Sequence, residues 1–337
     1  MLVVRLRSLG DTVLSTPTLF CLRRFLPRAR IDVLLEGWVA PLLAGSADVS
    51  EVLSFRRGDL WARVRMMREL RRRRYDVAVN LHGGTTATLL TWASRARYRV
   101  GYRRYQYSAL LTHRLAPSHQ LWSQAEVHSA EEQLALVGGV GVPVSDRPAT
   151  RLAVAREARD RVRTILSAAG VDDPQRVAVL HPGGTLATKR WASEGYVQVA
   201  RHLRARGLTP VVALGPGEAW LRADFASIEA VGGAIVVADL EIEAVIALVA
   251  EAQLFVGNDS GLAHVAAAVR TPAVVVFSSS NPIHWRPWAS APTEIVRHPV
   301  ACAPCPGYTC DGPVMLACLN GVTPEAVIAA YAPTNPD

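Results

Sequence analysis

Short runs of apolar, β-branched residues alternate with longer amphipathic stretches from one end of the 337-residue chain to the other. Several of these runs are apolar without a break, as expected for parallel strands that helices cover on both faces. The alternation therefore predicts an α/β fold built on doubly wound parallel sheets. The predicted strands are residues 3–6, 31–35, 77–80, 177–181, 210–214, 235–237, 254–257 and 273–277. The predicted helices include residues 60–73, 153–169, 196–206 and 241–250.

The length of the chain predicts two domains, because single cores stop growing well before this size. A stretch rich in glycine and proline at residues 138–148 marks the hinge. We therefore expect a first Rossmann-like domain at residues 1–150, a second at 151–322, and a C-terminal helix and tail at 323–337. Thr323 and Pro324 are typical of a helix start. Two such sheets in tandem would face each other across a central cleft, with ligands at the carboxyl ends of the strands.

Positive charge is concentrated in the first half of the chain. Residues 1–150 hold 22 arginines against 12 acidic residues, whereas residues 151–337 hold 15 cationic residues against 17 acidic ones. This asymmetry indicates an acidic partner, such as an anionic membrane surface, a phosphorylated lipid or a nucleic acid; a solvated basic surface is the alternative. The basic segments lack the interleaved aromatic residues of single-strand binding sites, which disfavours nucleic acid.

The beginning of the chain and its hydropathy pattern predict a cytoplasmic protein. The first residues lack the basic start and cleavage site of a signal peptide and are typical of a strand. No run of about 20 uncharged apolar residues occurs, so the sequence predicts no membrane-spanning helix.

Lys189 is the only lysine among 37 cationic residues. Where arginine serves elsewhere, a retained lysine suggests a position that needs a compact ammonium. Lys189 follows a turn, residues 181–185, at the end of an apolar strand, where doubly wound proteins hold phosphates. Thr185 or Thr188 could add hydroxyl donors, and Lys189 would stabilise a departing diphosphate. A chance exposed lysine is the alternative.

Two further strand ends in the second half carry candidate ligand-binding residues. Glu218 follows a strand and could accept hydrogen bonds from ribose hydroxyls, unless it is an exposed residue that caps the next helix. Asn258 to Gly261 form the start of a helix whose amides and dipole favour an anion. His264 lies one turn after Ser260 on the same helix face. It could reach the same ligand or be a packed or surface histidine.

Asp11 lies at the carboxyl end of the first predicted strand, facing the expected cleft. A positioned carboxylate there can act as a base that removes a proton from a bound substrate. The alternative is that Asp11 caps the following helix, and the two roles are compatible.

The chain resembles glycosyltransferase family 9, the ADP-heptose:lipopolysaccharide heptosyltransferases. The resemblance rests on Asn-Asp-Ser-Gly-Leu-Ala-His at 258–264, Thr-Pro at 271–272 and residues 278–282. Gly-Asp-Thr-Val-Leu-Ser-Thr-Pro at 10–17 is similar to the N-terminal motif of the family, and the region of Cys302 to Cys318 is similar to many members. The match touches both halves. One departure is the glycine-rich loop before Lys189, which is longer by about one residue than in typical members.

The resemblance implies a GT-B fold, with the acceptor on the first domain and a nucleotide sugar on the second. It implies that Glu218 holds the ribose, Asp259 the sugar, and Asp11 the acceptor proton. It also implies contacts to the donor diphosphate from Thr185, Lys189, Ser260, Gly261 and His264.

The implied reaction is inverting transfer, most simply of heptose from ADP-heptose, to an anionic glycolipid or lipopolysaccharide-core acceptor. Lys189 and the amides at Ser260 would carry the charge that a metal carries in other transferases, so we expect no cofactor besides the donor. The protein would contact the inner membrane surface peripherally. Candidates for the contact to a phosphorylated lipid are Arg56, Arg57, Arg63 and residues 71–74.

Two alternatives belong to other classes of protein. A nucleotide-sugar binding protein without transferase activity would keep the second-half residues and tolerate replacement of Asp11. A dinucleotide oxidoreductase would share the fold, but the first strand-to-helix turn lacks the GxGxxG pattern.

Four of the five cysteines fall within a short segment: Cys302, Cys305, Cys310 and Cys318. In a cytosolic protein such clustering favours a structural metal over disulfides. The spacing between the last two is loose for a zinc site. A metal, packed free thiols and a redox-dependent bridge all stay open, and the sequence pattern assigns no metal ligands.

Overall fold

The computed structural model describes residues 1–56, 58–171 and 173–331. Two units divide the chain, Met1–Ala153 and Val154–Asp337. The sequence places the boundary after residue 150. Arg57, an acceptor candidate, and residues 332–337 of the predicted tail lie outside the described residues.

The first unit contains a parallel sheet of six strands over its described residues, in the order β3-β2-β1-β4-β5-β6. Its strands are β1 (Leu2–Val4), β2 (Asp32–Glu36), β3 (Glu51–Phe55), β4 (Val77–Asn80), β5 (Tyr98–Tyr102) and β6 (His113–Leu115). Its helices are α1 (Leu9–Val13), α2 (Thr16–Phe25), α3 (Leu60–Arg72), α4 (Gly84–Ala93), α5 (Ser118–Trp122) and α6 (Ser129–Gly138).

The second unit repeats this topology, because its sheet order is β12-β11-β10-β7-β8-β9. Its strands are β7 (Val177–His181), β8 (Thr209–Leu214), β9 (Ile235–Ala238), β10 (Leu254–Asn258), β11 (Ala273–Phe277) and β12 (Thr293–Arg297). Its helices are α7 (Arg156–Ala168), α8 (Ser193–Ala205), α9 (Arg222–Ala230), α10 (Ile242–Glu251), α11 (Gly261–Val269), α12 (Pro282–Trp285), α13 (Ala317–Asn320) and α14 (Pro324–Tyr331). Both sheets have the strand order of dinucleotide-binding folds.

Burial explains why these segments form strands and helices. All five residues of β11 are buried, as a strand between helical layers requires. Helix α7 buries Ala158, Val162 and Leu166, which recur every four residues and form one apolar stripe. Val327 and Tyr331 of α14 belong to the core of the second unit. The Thr323 hydroxyl accepts from the Ala326 amide at 3.3 Å, as the predicted helix start requires.

The eight predicted strands are present, with ends shifted by at most two residues. Sequence reasoning missed β3, β5, β6 and β12. Three of these are sheet edges, where charged and polar residues replace the apolar run that identifies a buried strand. Strand β12, for example, has no buried residue, and its Glu294 and Arg297 are exposed.

Each strand order reverses at one point, between β1 and β4 in the first unit and between β7 and β10 in the second. Ligands of open α/β sheets bind outside the carboxyl ends of the strands at this switch point. A binding site is therefore expected in the segments after these four strands. No helix in the described part of the chain combines the length and apolar composition needed to cross a membrane.

Candidate functional site

The segments after β7 and β10 bring two predicted donor-binding residues into contact. Lys189 Nζ lies 2.7 Å from Asp259 Oδ2, and the side chains are 23% and 6% exposed. The ion pair joins the β7–α8 connection to the start of α11. A lysine ammonium has three N–H donors, so two remain for a ligand. Lys189 is therefore not an isolated surface lysine.

Asn258 holds the same two segments together through four hydrogen bonds. Its amide nitrogen donates to the carbonyls of Pro182 and Gly183, at 2.8 and 3.0 Å. Its oxygen accepts from the Trp191 amide at 3.1 Å and the Tyr196 hydroxyl at 2.9 Å. The Asn258 side chain is fully buried, so these bonds have no competition from water. They fix the glycine loop before Lys189.

Glu218 reaches into that glycine loop. Its carboxylate accepts from the amides of Gly184 at 2.8 Å and Gly215 at 2.7 Å, and His181 Nε2 lies 3.4 Å away. Burial opposes ionisation, but the contact with His181 and the two amide bonds outweigh it and lower the pKa of Glu218 to about 2. The alternative that Glu218 is an exposed capping residue is wrong, since its side chain is 16% exposed and does not cap the turn that follows.

Glycine at position 183 leaves room for the Glu218 carboxylate, which approaches its backbone closely. A Cβ added to Gly183 would overlap Glu218 Oε1. Any side chain there would displace the carboxylate from its donors. The proposed ribose contact of Glu218 stays a prediction, since both carboxylate oxygens already accept bonds from the protein.

His181 connects Glu218 with the start of α11, because its Nδ1 lies 3.3 Å from the Ser260 hydroxyl. Ser260 occupies the N-cap position, within the helix start predicted at residues 258–261, but its side chain does not cap the helix. Gly261 is the first residue of the helix, and His264 is buried one turn after Ser260. That burial is compatible with both interpretations of His264, a packed residue or a ligand contact.

The two threonines before Lys189 have different surroundings. The Thr188 hydroxyl donates to the Gly307 carbonyl, so it is engaged within the protein. Thr185 is exposed. Of the two threonine hydroxyls predicted to bind phosphate, that of Thr185 is accessible to a ligand.

In the first unit, Asp11 is held by two neighbours after β1. Arg5 Nη2 lies 2.5 Å from Asp11 Oδ1, and the Ser8 hydroxyl donates to Asp11 Oδ2 at 3.1 Å. Ser8, rather than Asp11, is the N-cap of α1, and Asp11 sits at the third helical position of a capping box. The literal alternative of Asp11 as the N-cap is therefore wrong, although Asp11 does contribute to the helix start.

A cavity of about 270 Å³ lies beside the carboxyl ends of β1 and β4. Its lining includes Arg7, Arg63 and His82, with the glycines at the start of α4. Burial, followed by the charge of Arg5, lowers the pKa of His82 from its ordinary 6.5 to about 4. His82 is therefore neutral at neutral pH, in a cavity that Glu36 lines together with the two arginines.

The arginine run at residues 71–74 does not line the cavity beside β1 and β4. Arg73 forms ion pairs with Asp32 at 3.1 Å and Glu51 at 2.8 Å, the first residues of β2 and β3. Asp32 and Glu51 lie at the amino ends of their strands, whereas Asp11 follows the carboxyl end of β1. The two sites are therefore at opposite ends of the sheet. Arg73 therefore stabilises the fold. Among the described acceptor candidates, Arg63 lines the cavity.

Sequence reasoning missed the roles of His181 and Asn258 in the second unit and of Arg5 and His82 in the first. Arg5 and His82 lie just beyond the ends of β1 and β4, and His181 and Asn258 are the last residues of β7 and β10. These four strands border the switch points. Strand order would have identified the four residues, but it is not readable from one sequence.

A family model described as glycosyltransferase family 9 (heptosyltransferase) matches residues 63–314. The chain belongs to this family. It is 26% identical over 301 residues to lipopolysaccharide heptosyltransferase 3 of Escherichia coli K12, covering 84% of this chain and 83% of the relative. Membership shows that the chain is a glycosyltransferase and confirms the resemblance found in its motifs.

Solved structures of the family agree with the fold. The E. coli ADP-heptose lipopolysaccharide heptosyltransferase II aligns with a TM-score of 0.81 and 22% identity, over 99% of this chain and 97% of that one. The E. coli heptosyltransferase WaaC, solved with ADP-2-deoxy-2-fluoro heptose, aligns with a TM-score of 0.72 and 18% identity, over 99% of both chains. The predicted GT-B fold is confirmed.

Proposed function

We propose that this family 9 enzyme transfers heptose from ADP-heptose to a sugar of a lipopolysaccharide-core acceptor, with inversion at the anomeric carbon. The observation that carries the proposal is the Lys189–Asp259 pair at the start of α11. It sets an ammonium beside a helix N-terminus at a switch point, where a diphosphate is best stabilised. The names of the relatives support heptose as the sugar and ADP as the carrier.

The donor diphosphate would lie between Lys189 and the amide groups that begin with Gly261. The two remaining N–H donors of Lys189 would bind phosphate oxygens, and the Ser260 and Thr185 hydroxyls and His264 could add further bonds. Asp259, already oriented by Lys189, would accept from a sugar hydroxyl. Glu218 would use its remaining lone pairs for the ribose. As the bond to the sugar breaks, the diphosphate leaves with the electron pair, and Lys189 stabilises this charge.

Asp11 would act as the base in a single displacement. The acceptor hydroxyl attacks the anomeric carbon from the face opposite to the diphosphate, and its proton passes to the Asp11 carboxylate. Arg5 and Ser8 hold the carboxylate in place. Holding both substrates in line would supply several kcal/mol of the barrier reduction.

The acceptor would be anionic, because Arg7 and Arg63 outnumber Glu36 among the charged residues that line the cavity beside β1 and the first half carries the excess of arginine. A glycolipid acceptor requires the enzyme to work at a membrane surface. We propose peripheral contact with the cytoplasmic face of the inner membrane, driven by these charges and weakened by salt.

The experiment is a transfer assay with the full-length protein, ADP-heptose and a lipopolysaccharide-core acceptor, in which released ADP and glycosylated acceptor are measured together. NMR of the product gives the anomeric configuration. Calorimetric titrations with ADP, UDP, GDP and NAD test the nucleotide in parallel. Tight binding of ADP-heptose without any transfer would favour a binding protein, and retention of configuration would remove Asp11 from the proposed role.

A further inference from the structure

Three large apolar side chains of the first unit are exposed near the ends of two neighbouring strands. Trp61, Leu60 and Trp38 are 73%, 64% and 58% exposed. A single exposed apolar residue is ordinary, whereas several at one edge of a domain indicate a surface that binds a partner. None of the three lines the cavity beside β1 and β4, so binding of the acceptor in that cavity does not account for them.

The three side chains lie beside that cavity, at the carboxyl end of the sheet. The Trp38 indole donates to the carboxylate of Glu36, the last residue of β2, at 3.2 Å. Glu36 pairs with Phe55, the last residue of β3, and α3 begins five residues later with the other two apolar residues. Glu36, Phe55 and Arg63 all line the cavity. Trp38, Leu60 and Trp61 therefore form an apolar rim beside it.

Helix α3 carries positive charge next to the apolar rim. Its first turn is fixed, because the Asp59 carboxylate accepts from an amide of that turn at 2.9 Å. After Trp61, the exposed Arg65, Arg68 and Arg72 follow at intervals of three or four residues, so all four share one face of the helix. The helix contains five arginines and one glutamate. The surface is thus apolar at one end and cationic along its length.

This combination fits the interface of an anionic membrane. Tryptophan is enriched where lipid headgroups meet the acyl chains, and amphipathic helices that bind membranes combine Trp or Leu with arginine. We propose that the apolar rim inserts into the headgroup region of an anionic phospholipid bilayer, with Arg65 and Arg68 bound to lipid phosphates. The inference rests on the proposed function, because a glycolipid acceptor brings the enzyme to a bilayer, and it names the surface that would make the contact.

The position of the apolar rim has a consequence for the acceptor. Because the rim borders the cavity, docking would hold the cavity at the level of the headgroups. The sugars of a glycolipid lie at the same level, so the acceptor would reach the cavity with its acyl chains still in the bilayer. A chain without the apolar rim would still bind an acceptor that has no lipid.

The first test measures binding of the full-length protein to vesicles by cosedimentation, without donor or acceptor. The probes are vesicles of phosphatidylcholine and vesicles of phosphatidylcholine mixed with phosphatidylglycerol. We expect binding to the anionic vesicles alone, weakened by salt. Trp61→Ser should lower the affinity about tenfold or more. The control Trp92→Ser removes an exposed tryptophan near the end of α4, at the opposite end of the sheet, and should bind as the parent does.

The charges are tested in the same assay. Arg65→Ser and Arg68→Ser should each lower the affinity for anionic vesicles about fivefold. Arg28→Ser is the matched control, since Arg28 is exposed just before β2 at the opposite end of the sheet. It should bind as the parent does. All these side chains are exposed, so serine disturbs no packed core.

Transfer assays separate this inference from the proposed function. With an acceptor that lacks its lipid, Trp61→Ser should keep the rate of the parent, whereas with an acceptor embedded in vesicles it should be about tenfold slower. A parent that binds anionic vesicles but transfers no sugar would contradict the proposed function and support the membrane surface.

Three outcomes would overturn the membrane surface. The first is a parent that binds neither kind of vesicle or binds both equally. The second is a loss of binding in Trp92→Ser as large as that in Trp61→Ser. The third is a dimer in analytical ultracentrifugation that Trp61→Ser dissociates, which would assign the apolar rim to a second copy of the chain.

Discussion

The two switch points use the same residue type in different ways. Asn80 ends β4 and Asn258 ends β10, the fourth strand of each unit, and both are fully buried. Asn80 accepts from the amides of His82 at 3.1 Å and Gly83 at 2.9 Å, so it shapes the turn that follows its own strand. Asn258 bonds across to the loop after β7. One asparagine forms a turn, and the other joins two loops.

The cross-strand link of the first unit is made by a charged residue instead. Arg5 donates to the Leu81 carbonyl at 2.9 Å while it pairs with Asp11. In the second unit a neutral amide, that of Asn258, makes the buried link, and the less buried Lys189–Asp259 pair adds to it. This difference fits a proposed donor loop that is rigid before binding, and a first unit whose buried charge orients the proposed base.

The largest effect should come from Asp11→Asn, which keeps the shape but removes the proton acceptor. We expect transfer to fall about a thousandfold, with ADP affinity within about twofold of the parent, since the proposed nucleotide site lies in the other unit. Transfer kinetics and calorimetry check this. The control Asp76→Asn, exposed just before β4, should change neither. Full activity of Asp11→Asn would show that the Arg5 pair serves folding alone.

The variants Asn258→Ala and Asn80→Ala test whether the two buried asparagines have different roles. Each leaves buried partners unsatisfied, so each should lower the free energy of unfolding by about 2–4 kcal/mol in urea denaturation. Their ligand effects should differ. Asn258→Ala should weaken ADP binding, because it frees the glycine loop, whereas Asn80→Ala should leave it unchanged. Equal loss of ADP affinity in both variants would break the distinction between them.

The variant Lys189→Arg tests whether position 189 needs an ammonium, since every other basic side chain of the Lys/Arg type is arginine. We expect ADP affinity to fall about tenfold, because the planar fork cannot fill the place of a compact charge beside Asp259. Lys189→Met, which also leaves Asp259 without its cation, should lower it about a hundredfold. Arg201→Met, at an exposed position of α8, is the control. Parent-like affinity in both Lys189 variants would place the diphosphate elsewhere.

Sequence patterns predicted buried strands well because an uninterrupted apolar run such as that of β11, bounded by turn residues, is typical of a strand covered on both faces. They located Lys189 and Asp259 because both follow such strands. The ion pair between them joins positions 70 residues apart, which only the order of the strands brings together. Sequence reasoning missed Arg5 and His82 for the same reason, because the strand order was not known. The charge run at residues 71–74 is visible in sequence, whereas the partners of Arg73 on β2 and β3 are visible only in the structure.

The smallest expected effect concerns His82 and tests whether the first switch point is a buried cationic site. Its pKa is lowered from 6.5 to about 4 in the folded chain, so between these values the unfolded chain binds a proton that the folded chain does not. Stability should therefore decrease as the pH falls through this window.

His82→Gln should reduce the loss of stability between about pH 6.5 and 5, measured by urea unfolding. This range lies above the window of Glu218, whose lowered pKa acts between 4.5 and about 2. His119→Gln, at an exposed position of the same unit, should keep the slope of the parent. If His82→Gln also keeps that slope, His82 is open to solvent, and the first switch point is then not a buried cationic site.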